Sequence, residues 1–346
     1  MLDDLYLFFI LSKYKLGFIS RLELFDGIKE YVKSKGPIFI KFIQILLINH
    51  YKFKKELSNE EIGNVKLLLD NVYDNIDKAD FQVGCGSVAY VSFDKDDKSQ
   101  VIKKLLPNII EKINYSASEL KKIVYLASFK YDLNFSDEDL ESYKELLFRQ
   151  TDLIQEKNNL DRMYLMFKDF NEIIIPKVID YNSDMIKMEY VNGLKLTDFV
   201  KKYPDKKENC KSILNFCFKV MINNKFFHGD LHEGNFLFSL DSKNNVIISI
   251  IDFGLVFEIT DEQQDIFYNF LLNKKNKMLF LYQLTKKDIN YQEFCNKLGK
   301  YEGKVCTGYE ILETMKENNI KINTYLSTFI LSLYSLRLLI DNLHKV

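Results

Sequence analysis

The sequence predicts an α+β fold with two lobes, and three observations support this prediction. The chain has 346 residues, which at roughly 150 residues per domain suggests two domains. Short β-prone runs occur near 80–106, 173–190 and 236–251, whereas most other segments have apolar residues at helical spacing. Apolar residues make up 47% of the chain and charged residues 28%, so it can bury a large core.

The order of these segments divides the chain into three parts. Residues 1–75 lack strand-like alternation and predict an N-terminal helical extension. Residues 76–190 predict an N-lobe of strands that contains a helical insert at about 108–150. Residues 191–346 are mainly helical in pattern and predict a C-lobe.

Strand positions follow from apolar runs bounded by turn residues. Three strands are expected at 81–83, 88–93 and 100–106, and two more at 173–179 and 185–190. The runs 236–238 and 246–251 flank the polar sequence DSKNN, which predicts a hairpin.

Charge and cysteine content exclude several classes of protein. The 48 basic and 49 acidic side chains leave a net charge of −1, so nucleic-acid binding by bulk charge is excluded. The five cysteines are scattered and odd in number, which fits neither a disulfide framework nor a zinc site. We therefore expect a reducing, cytoplasmic compartment, and we find no pattern of a signal peptide or a transmembrane helix.

The strongest chemical signal is the sequence HGDLHEGN at 228–235, followed by DFG at 252–254. Phosphoryl transfer needs a carboxylate that orients the acceptor and oxygen ligands for Mg²⁺. Asp230 is the candidate for the first role, and Asn235 and Asp252 are the candidate metal ligands. The alternative is that these are ordinary turn residues, but two correctly ordered motifs would then both be accidental.

A glycine-rich turn and a lysine stand upstream of these motifs. Gly84-Cys-Gly86-Ser87 joins two predicted strands, and its amides are candidates to approach phosphate, although an ordinary hairpin turn is the alternative. Lys103 or Lys104 on the next strand is expected to neutralise the phosphates. Adjacent strand residues face opposite sides, so only one of the two can point inward.

Two further candidates lie between the lysine and the catalytic motif. Glu156 begins a helical stretch that precedes a strand, where a glutamate could pair with the lysine, and a solvated surface charge is the alternative. Glu189 and Val191 lie in the sequence MEYV after a β-run and resemble a hinge whose backbone contacts adenine. A strand end with a turn explains them equally well.

Together, these motifs resemble the UbiB/AarF family of atypical kinases, a protein-kinase-like group linked to isoprenoid quinone biosynthesis. The resemblance covers roughly residues 30–260. The family's strand lysine stands four residues before a proline, which selects Lys103 relative to Pro107, and its Glu-x-x-Asn-Leu sequence falls on Glu156. The resemblance implies a bilobal protein-kinase-like fold that binds ATP and Mg²⁺, with Asp230, Lys103 and Glu156 as catalytic residues.

The N-terminal segment carries a further part of the resemblance. The family has a Lys-x-Gly-Gln motif after Gly-Pro, which here falls on Lys41 and Gln44. The resemblance implies that both residues belong to the nucleotide site and that their helix covers it. Ile43 replaces the family's glycine, and the Gly-Cys-Gly turn replaces an alanine-rich loop.

The phosphoryl acceptor stays open between a protein, a lipid and a small molecule. The resemblance suggests an atypical kinase or ATPase linked to quinone or lipid metabolism, with peripheral membrane contact. One alternative is a small-molecule phosphotransferase of the aminoglycoside or choline kinase type, which shares the motif at 228–235. Another is a pseudokinase scaffold that binds nucleotide without turnover.

Overall fold

The computed structural model describes residues 82–128, 137–271 and 277–299, except residues 87 and 232. It also describes some of the positions between 6 and 35 and between 315 and 323. The chain forms two compact units. Unit 1 comprises Met1–Ser92 and Lys103–Thr151, and unit 2 comprises Phe93–Ile102 and Asp152–Val346. The lobe boundaries predicted at residues 75 and 190 stay a prediction.

The described elements come in runs of strands and runs of helices, as expected for an α+β fold. The strands are β1 (Gln82–Cys85), β2 (Ala89–Phe93), β3 (Gln100–Leu105), β4 (Ile173–Ile174), β5 (Val178–Tyr181), β6 (Met185–Glu189), β7 (Phe226–His228), β8 (Phe236–Leu240), β9 (Val246–Ile250) and β10 (Val256–Glu258). The helices are α1 (Ile109–Ser128), α2 (Asp137–Arg149), α3 (Leu153–Phe167), α4 (Leu196–Lys202), α5 (Lys207–Asn223), α6 (Asp261–Leu271), α7 (Lys277–Gln283) and α8 (Tyr291–Leu298).

The described strands form three sheets. One has the order β1-β2-β3-β6-β5, a second pairs β10 with β7, and the third has the order β4-β9-β8. β8 and β9 are antiparallel, whereas β4 and β9 are parallel. The β8–β9 hairpin forms as predicted, because the Asp241 carboxylate accepts from the amides of Lys243 and Asn245, each at 2.8 Å.

One predicted strand is wrong. The run at 173–179 was expected to be continuous, but β4 pairs with β9 and β5 pairs with β6 in a different sheet. Pro176 lies between the two short strands. Proline lacks the N–H that a ladder requires, so the chain changes sheets at this residue.

Helix α1 in unit 1 buries one apolar face. Ile109, Ile113, Ala117 and Leu120 are buried at helical spacing. Glu119 on this face forms an ion pair of 2.6 Å with Lys35, whose side chain is wholly buried. Most described positions between 6 and 35 are helical, so this pair attaches the N-terminal segment to α1.

The core of unit 2 lies between α5 and β9. All five residues of β9 are buried, which is typical of a strand covered on both faces. Helix α5 contributes Cys210, Leu214, Cys217 and Met221 to the same core. Burial raises the pKa of both cysteine thiols to about 12, so neither is a reactive thiolate near neutral pH.

Among the described residues, no helix has the length and apolar composition needed to cross a bilayer.

Candidate active site

The loop that bears Asp230 follows the buried strand β7. The Gly229 amide donates to the carbonyl of Leu255 at 2.7 Å. A β-carbon at Gly229 would lie 2.7 Å from side-chain atoms of both Leu255 and Phe257, so close packing requires glycine here. This contact places Asp230 directly beside the chain that follows the DFG motif.

His228 connects the two motifs. Its Nε2 atom lies 3.1 Å from the carbonyl oxygen of Ile251, and its Nδ1 accepts from the Asp230 amide at 3.1 Å. Its ring centroid is 4.9 Å from that of Phe253. His228 belongs to the motif at 228–235, but no role was predicted for it from the sequence. Its position at the end of an apolar strand was the available signal.

Asn235 and Asp252 lie at the same end of the β8–β9 hairpin. Asn235 precedes β8, Asp252 follows β9 by two residues, and the amide of Ile251 donates to the carbonyl of Asn235 at 3.0 Å. The Asn235 side-chain amide donates to the Asp230 carbonyl at 2.9 Å. Hydrogen bonds therefore bring the predicted acceptor-orienting residue and both predicted metal ligands to one region of unit 2.

The backbone of Asp252 has a left-handed φ of 64°. Aspartate and asparagine tolerate this conformation better than most residues with a β-carbon. The Gly254 amide lies 3.5 Å from Oδ1 of Asp252, at the limit for a hydrogen bond. The turn of the chain at Asp252 leaves its side chain exposed.

Oxygen atoms of these residues fit the preferences of Mg²⁺. The Asn235 amide nitrogen is used in the bond to Asp230, so its Oδ1 is the atom suited to a cation, and Asp252 supplies a carboxylate. Within the described ranges, no group of three or more His, Cys, Asp or Glu side chains forms a metal cluster. Mg²⁺ is usually held through one or two carboxylates together with substrate phosphates and water, which matches this sparse set of ligands.

Helix α3 carries Glu156 in its first turn. The Asp152 side chain accepts from the Gln155 amide at 2.9 Å and caps the helix. Glu156 has 1% of its surface exposed, so it is not a solvated surface charge. One turn later, the buried Asn159 donates to the carbonyl of Phe253 at 2.9 Å. No role was predicted for Asn159 from the sequence.

The predicted phosphate-binding residues lie in unit 1. Lys103 is 7% exposed, whereas its neighbour Lys104 is exposed. The Gly86 amide closes the turn by donating to the carbonyl of Ala89 at 2.8 Å. Among described residues, no heavy atom lies within 4 Å of a β-carbon built on Gly84. The pairing of Lys103 with Glu156 stays a prediction.

The predicted hinge follows strand β6. Glu189 is exposed, and its carboxylate accepts from the Lys177 amide at 3.2 Å. The Tyr190 amide donates to the carbonyl of Ser99 at 2.8 Å, and Val191 is half-buried. Adenine contact by Glu189 or Val191 stays a prediction. Lys41, Gln44, Ser87 and His232 lie outside the described residues.

Comparison with known proteins supplies the family. The model of the ABC1 atypical kinase-like domain matches residues 53–278. A Clostridium pasteurianum protein described as an uncharacterized protein in the hydrogenase 1 5′ region is 27% identical over 289 residues, which cover 72% of this chain and 52% of that protein. A probable protein kinase UbiB of Blochmanniella pennsylvanica is 26% identical over 271 residues, which cover 68% of this chain and 48% of that protein.

The chain therefore spans about half the length of the curated relatives it matches. A solved structure of the Mycobacterium tuberculosis Rv3197–erythromycin complex aligns with a TM-score of 0.49 and 16% identity, covering 76% of this chain and 73% of that one. The domain match extends over most of the chain and includes both motifs at 228–235 and 252–254. The chain belongs to the ABC1 atypical kinase-like family, the UbiB/AarF group that the motifs predicted, and its α+β kinase-like fold is the fold of that family.

Proposed function

We propose that the chain binds ATP with Mg²⁺ and acts as an atypical kinase or ATPase. The observation that carries this proposal is the set of hydrogen bonds that groups Asp230, Asn235 and Asp252. The Asn235 side chain donates to the Asp230 carbonyl at 2.9 Å, and the Asn235 carbonyl accepts from the residue before Asp252 at 3.0 Å. Such a grouping supports phosphoryl transfer, which depends on positioning and charge stabilisation.

Each residue has a proposed task. Asn235 and Asp252 hold the cation, which when bound neutralises charge on the phosphate oxygens. Asp230 orients the hydroxyl of an acceptor or a water molecule and accepts its proton. Lys103 neutralises the α- and β-phosphates, and Glu156 positions that lysine.

The remaining groups complete the nucleotide site. The turn of Gly84, Gly86 and Ser87 approaches the phosphates, with the Gly86 amide itself donating to Ala89. The open space beside Gly84 among described residues favours this role. Backbone atoms of Glu189 and Val191 contact adenine. Lys41 and Gln44 contribute from the N-terminal segment, an assignment that rests on the family motif alone.

The acceptor belongs to one of three classes: a protein, a lipid or a small molecule. The link to isoprenoid quinone or lipid metabolism, with peripheral membrane contact and a cytoplasmic location, rests on the family resemblance. The name of the Blochmanniella relative, probable protein kinase UbiB, supports kinase activity as the first activity to assay.

The test measures ADP release and transfer of γ-labelled phosphate, with and without Mg²⁺, in the presence of lipid, generic protein or no acceptor. Asp230→Asn is expected to lower turnover at least about 100-fold, because it removes the base. The matched control is Asp198→Asn, at an exposed position in the first turn of α4. Its turnover should equal that of the parent. MgATP binding without turnover would favour a scaffold, and absence of MgATP binding would contradict the proposal.

A further inference from the structure

Helix α3 carries three polar side chains on one side, and two of them contact the chain around the DFG motif. Glu156, Asn159 and Arg162 follow one another at intervals of three residues, so they lie along one side of the helix. Glu156 and Asn159 are buried, and Arg162 is partly exposed. The contacts of the last two show what this side of α3 does.

The amide of Asn159 has a fixed orientation. Its Nδ2 donates to the Phe253 carbonyl at 2.9 Å, and its Oδ1 accepts from Nε2 of Gln155 at 3.0 Å. A carbonyl oxygen can only accept, so the amide nitrogen must face Phe253. Gln155 then holds the opposite side of the amide group. Asn159 is 4% exposed, so water does not readily replace this bond.

Arg162 provides a second attachment further along the helix. Its guanidinium carbon lies 3.9 Å from the centre of the Phe226 ring. Its Nη1 donates to Glu258 at 2.7 Å. Glu258 and Phe226 are directly opposite each other on β10 and β7. Segment 253–258 is therefore attached to α3 at both of its ends.

We propose that Asn159 is a positioning residue that holds Asp252 in the geometry needed for Mg²⁺. The Phe253 carbonyl belongs to the second peptide group after the Asp252 α-carbon. By fixing that carbonyl, Asn159 holds the left-handed backbone of Asp252, a conformation that the surroundings must maintain.

This inference rests on the proposed function of Asp252 as a metal ligand. A positioning role and simple core packing predict different effects when Asn159 is replaced. If Asn159 only filled space, its loss would lower stability and leave the Mg²⁺ requirement unchanged. If it positions Asp252, its loss raises the Mg²⁺ concentration needed for nucleotide binding and leaves binding of metal-free nucleotide unchanged.

The test titrates Mg²⁺ against the full chain in the presence of ATP and follows binding by calorimetry and thermal shift. Asn159→Leu removes the donor at similar volume, and Asn158→Leu makes the same change at the exposed neighbouring position. We expect Asn159→Leu to raise the half-saturating Mg²⁺ concentration about tenfold, the effect of one lost hydrogen bond to a buried carbonyl. Asn158→Leu should stay within about twofold of the parent, since a surface change away from such contacts has little effect.

A second variant keeps the test decisive if Asn159→Leu does not fold. Gln155 is exposed, and Gln155→Glu introduces a group that only accepts, which would draw the Asn159 nitrogen away from Phe253. A glutamate in the first turn favours the helix, which offsets part of the stability lost with the hydrogen bond to Phe253. We expect the half-saturating Mg²⁺ concentration to rise about threefold in this variant, because only part of the contribution of one hydrogen bond is lost.

The outcomes distinguish this inference from the proposed function. If the parent does not bind MgATP, the proposed function fails and the inference fails with it. If the parent binds MgATP and folded Asn159→Leu has the parental Mg²⁺ requirement, only the inference fails. If Asn159→Leu is unfolded, an unchanged requirement in Gln155→Glu overturns the inference. Faster amide exchange at 252–256 in the metal-free variants would support it independently.

Discussion

His228 hydrogen-bonds to the backbone of Ile251, with its Nε2 atom 3.1 Å from the carbonyl oxygen. The Nδ1 atom of the same ring accepts from the Asp230 amide. Because a carbonyl accepts and an amide donates, the ring is neutral with its proton on Nε2. One buried side chain thus connects the residue before Asp252 to the backbone of Asp230.

The first prediction concerns this connection. His228→Leu should lower the free energy of unfolding by about 2 kcal/mol, because two half-buried backbone groups lose a partner. His228→Asn should lower the free energy of unfolding by less, since the asparagine Oδ1 can still accept from the Asp230 amide. Urea unfolding of the three proteins measures the difference. A leucine variant as stable as the parent would show that the two hydrogen bonds contribute nothing to the free energy of unfolding.

A second prediction concerns the charge of Asp252. Asp252→Asn should abolish thermal stabilisation by MgATP and preserve any stabilisation by metal-free ATP, because a neutral amide is a much weaker Mg²⁺ ligand than a carboxylate. Asparagine also tolerates the left-handed backbone at this position, so the fold should be retained. Thermal shift with and without Mg²⁺ is the measurement. Equal stabilisation of variant and parent by MgATP would rule out Asp252 as a ligand.

The third prediction compares neighbouring lysines. Lys103→Ala should lower ATP affinity or turnover at least about tenfold, whereas Lys104→Ala should change either by less than about twofold, because one side chain is buried and the other exposed. Steady-state kinetics of the two variants provides the comparison. A larger loss at Lys104 would transfer the phosphate-binding role to that residue.

The sequence of short segments was sufficient to predict much of the fold. The hairpin at 236–251 was predicted because two apolar runs flank the polar stretch 241–245. In the structure, Asp241 accepts from two amides of this turn. The strand expected at 173–179 failed because Pro176 was not treated as a break. The apolar run alone could not show that its two halves join different sheets.

The candidate site was predictable only in part. Asp230, Asn235 and Asp252 were predicted because their order and spacing match the needs of phosphoryl transfer. Asn159 belongs to the family's Glu-x-x-Asn-Leu sequence, but its contact with Phe253 was missed because the two residues are 94 positions apart. No local periodicity distinguishes such an asparagine from one on an exposed helix face, as its neighbour Asn158 illustrates.

The last prediction concerns the ion pair between α1 and the N-terminal segment. Hydrogen bonds from Lys122 and Lys35 hold the pKa of Glu119 below its ordinary value of 4.5. A depressed carboxylate pKa stabilises the folded state above the unfolded-state value, and this stabilisation is lost as pH falls through the folded-state value. Glu119 should therefore contribute fully at pH 6 and progressively less below about pH 4.5.

Glu119→Gln should cost about 2 kcal/mol at pH 6, because the wholly buried Lys35 then loses its charged partner. At pH 3 the cost should be smaller, since Glu119 of the parent is itself becoming neutral. Glu111→Gln, at an exposed position in the first turn of the same helix, is the matched control and should cost no more than a few tenths of a kcal/mol. Urea unfolding at both pH values measures this cost in free energy of unfolding. If the cost of Glu119→Gln stays constant or grows as pH falls, the ionised carboxylate does not stabilise the contact between α1 and Lys35.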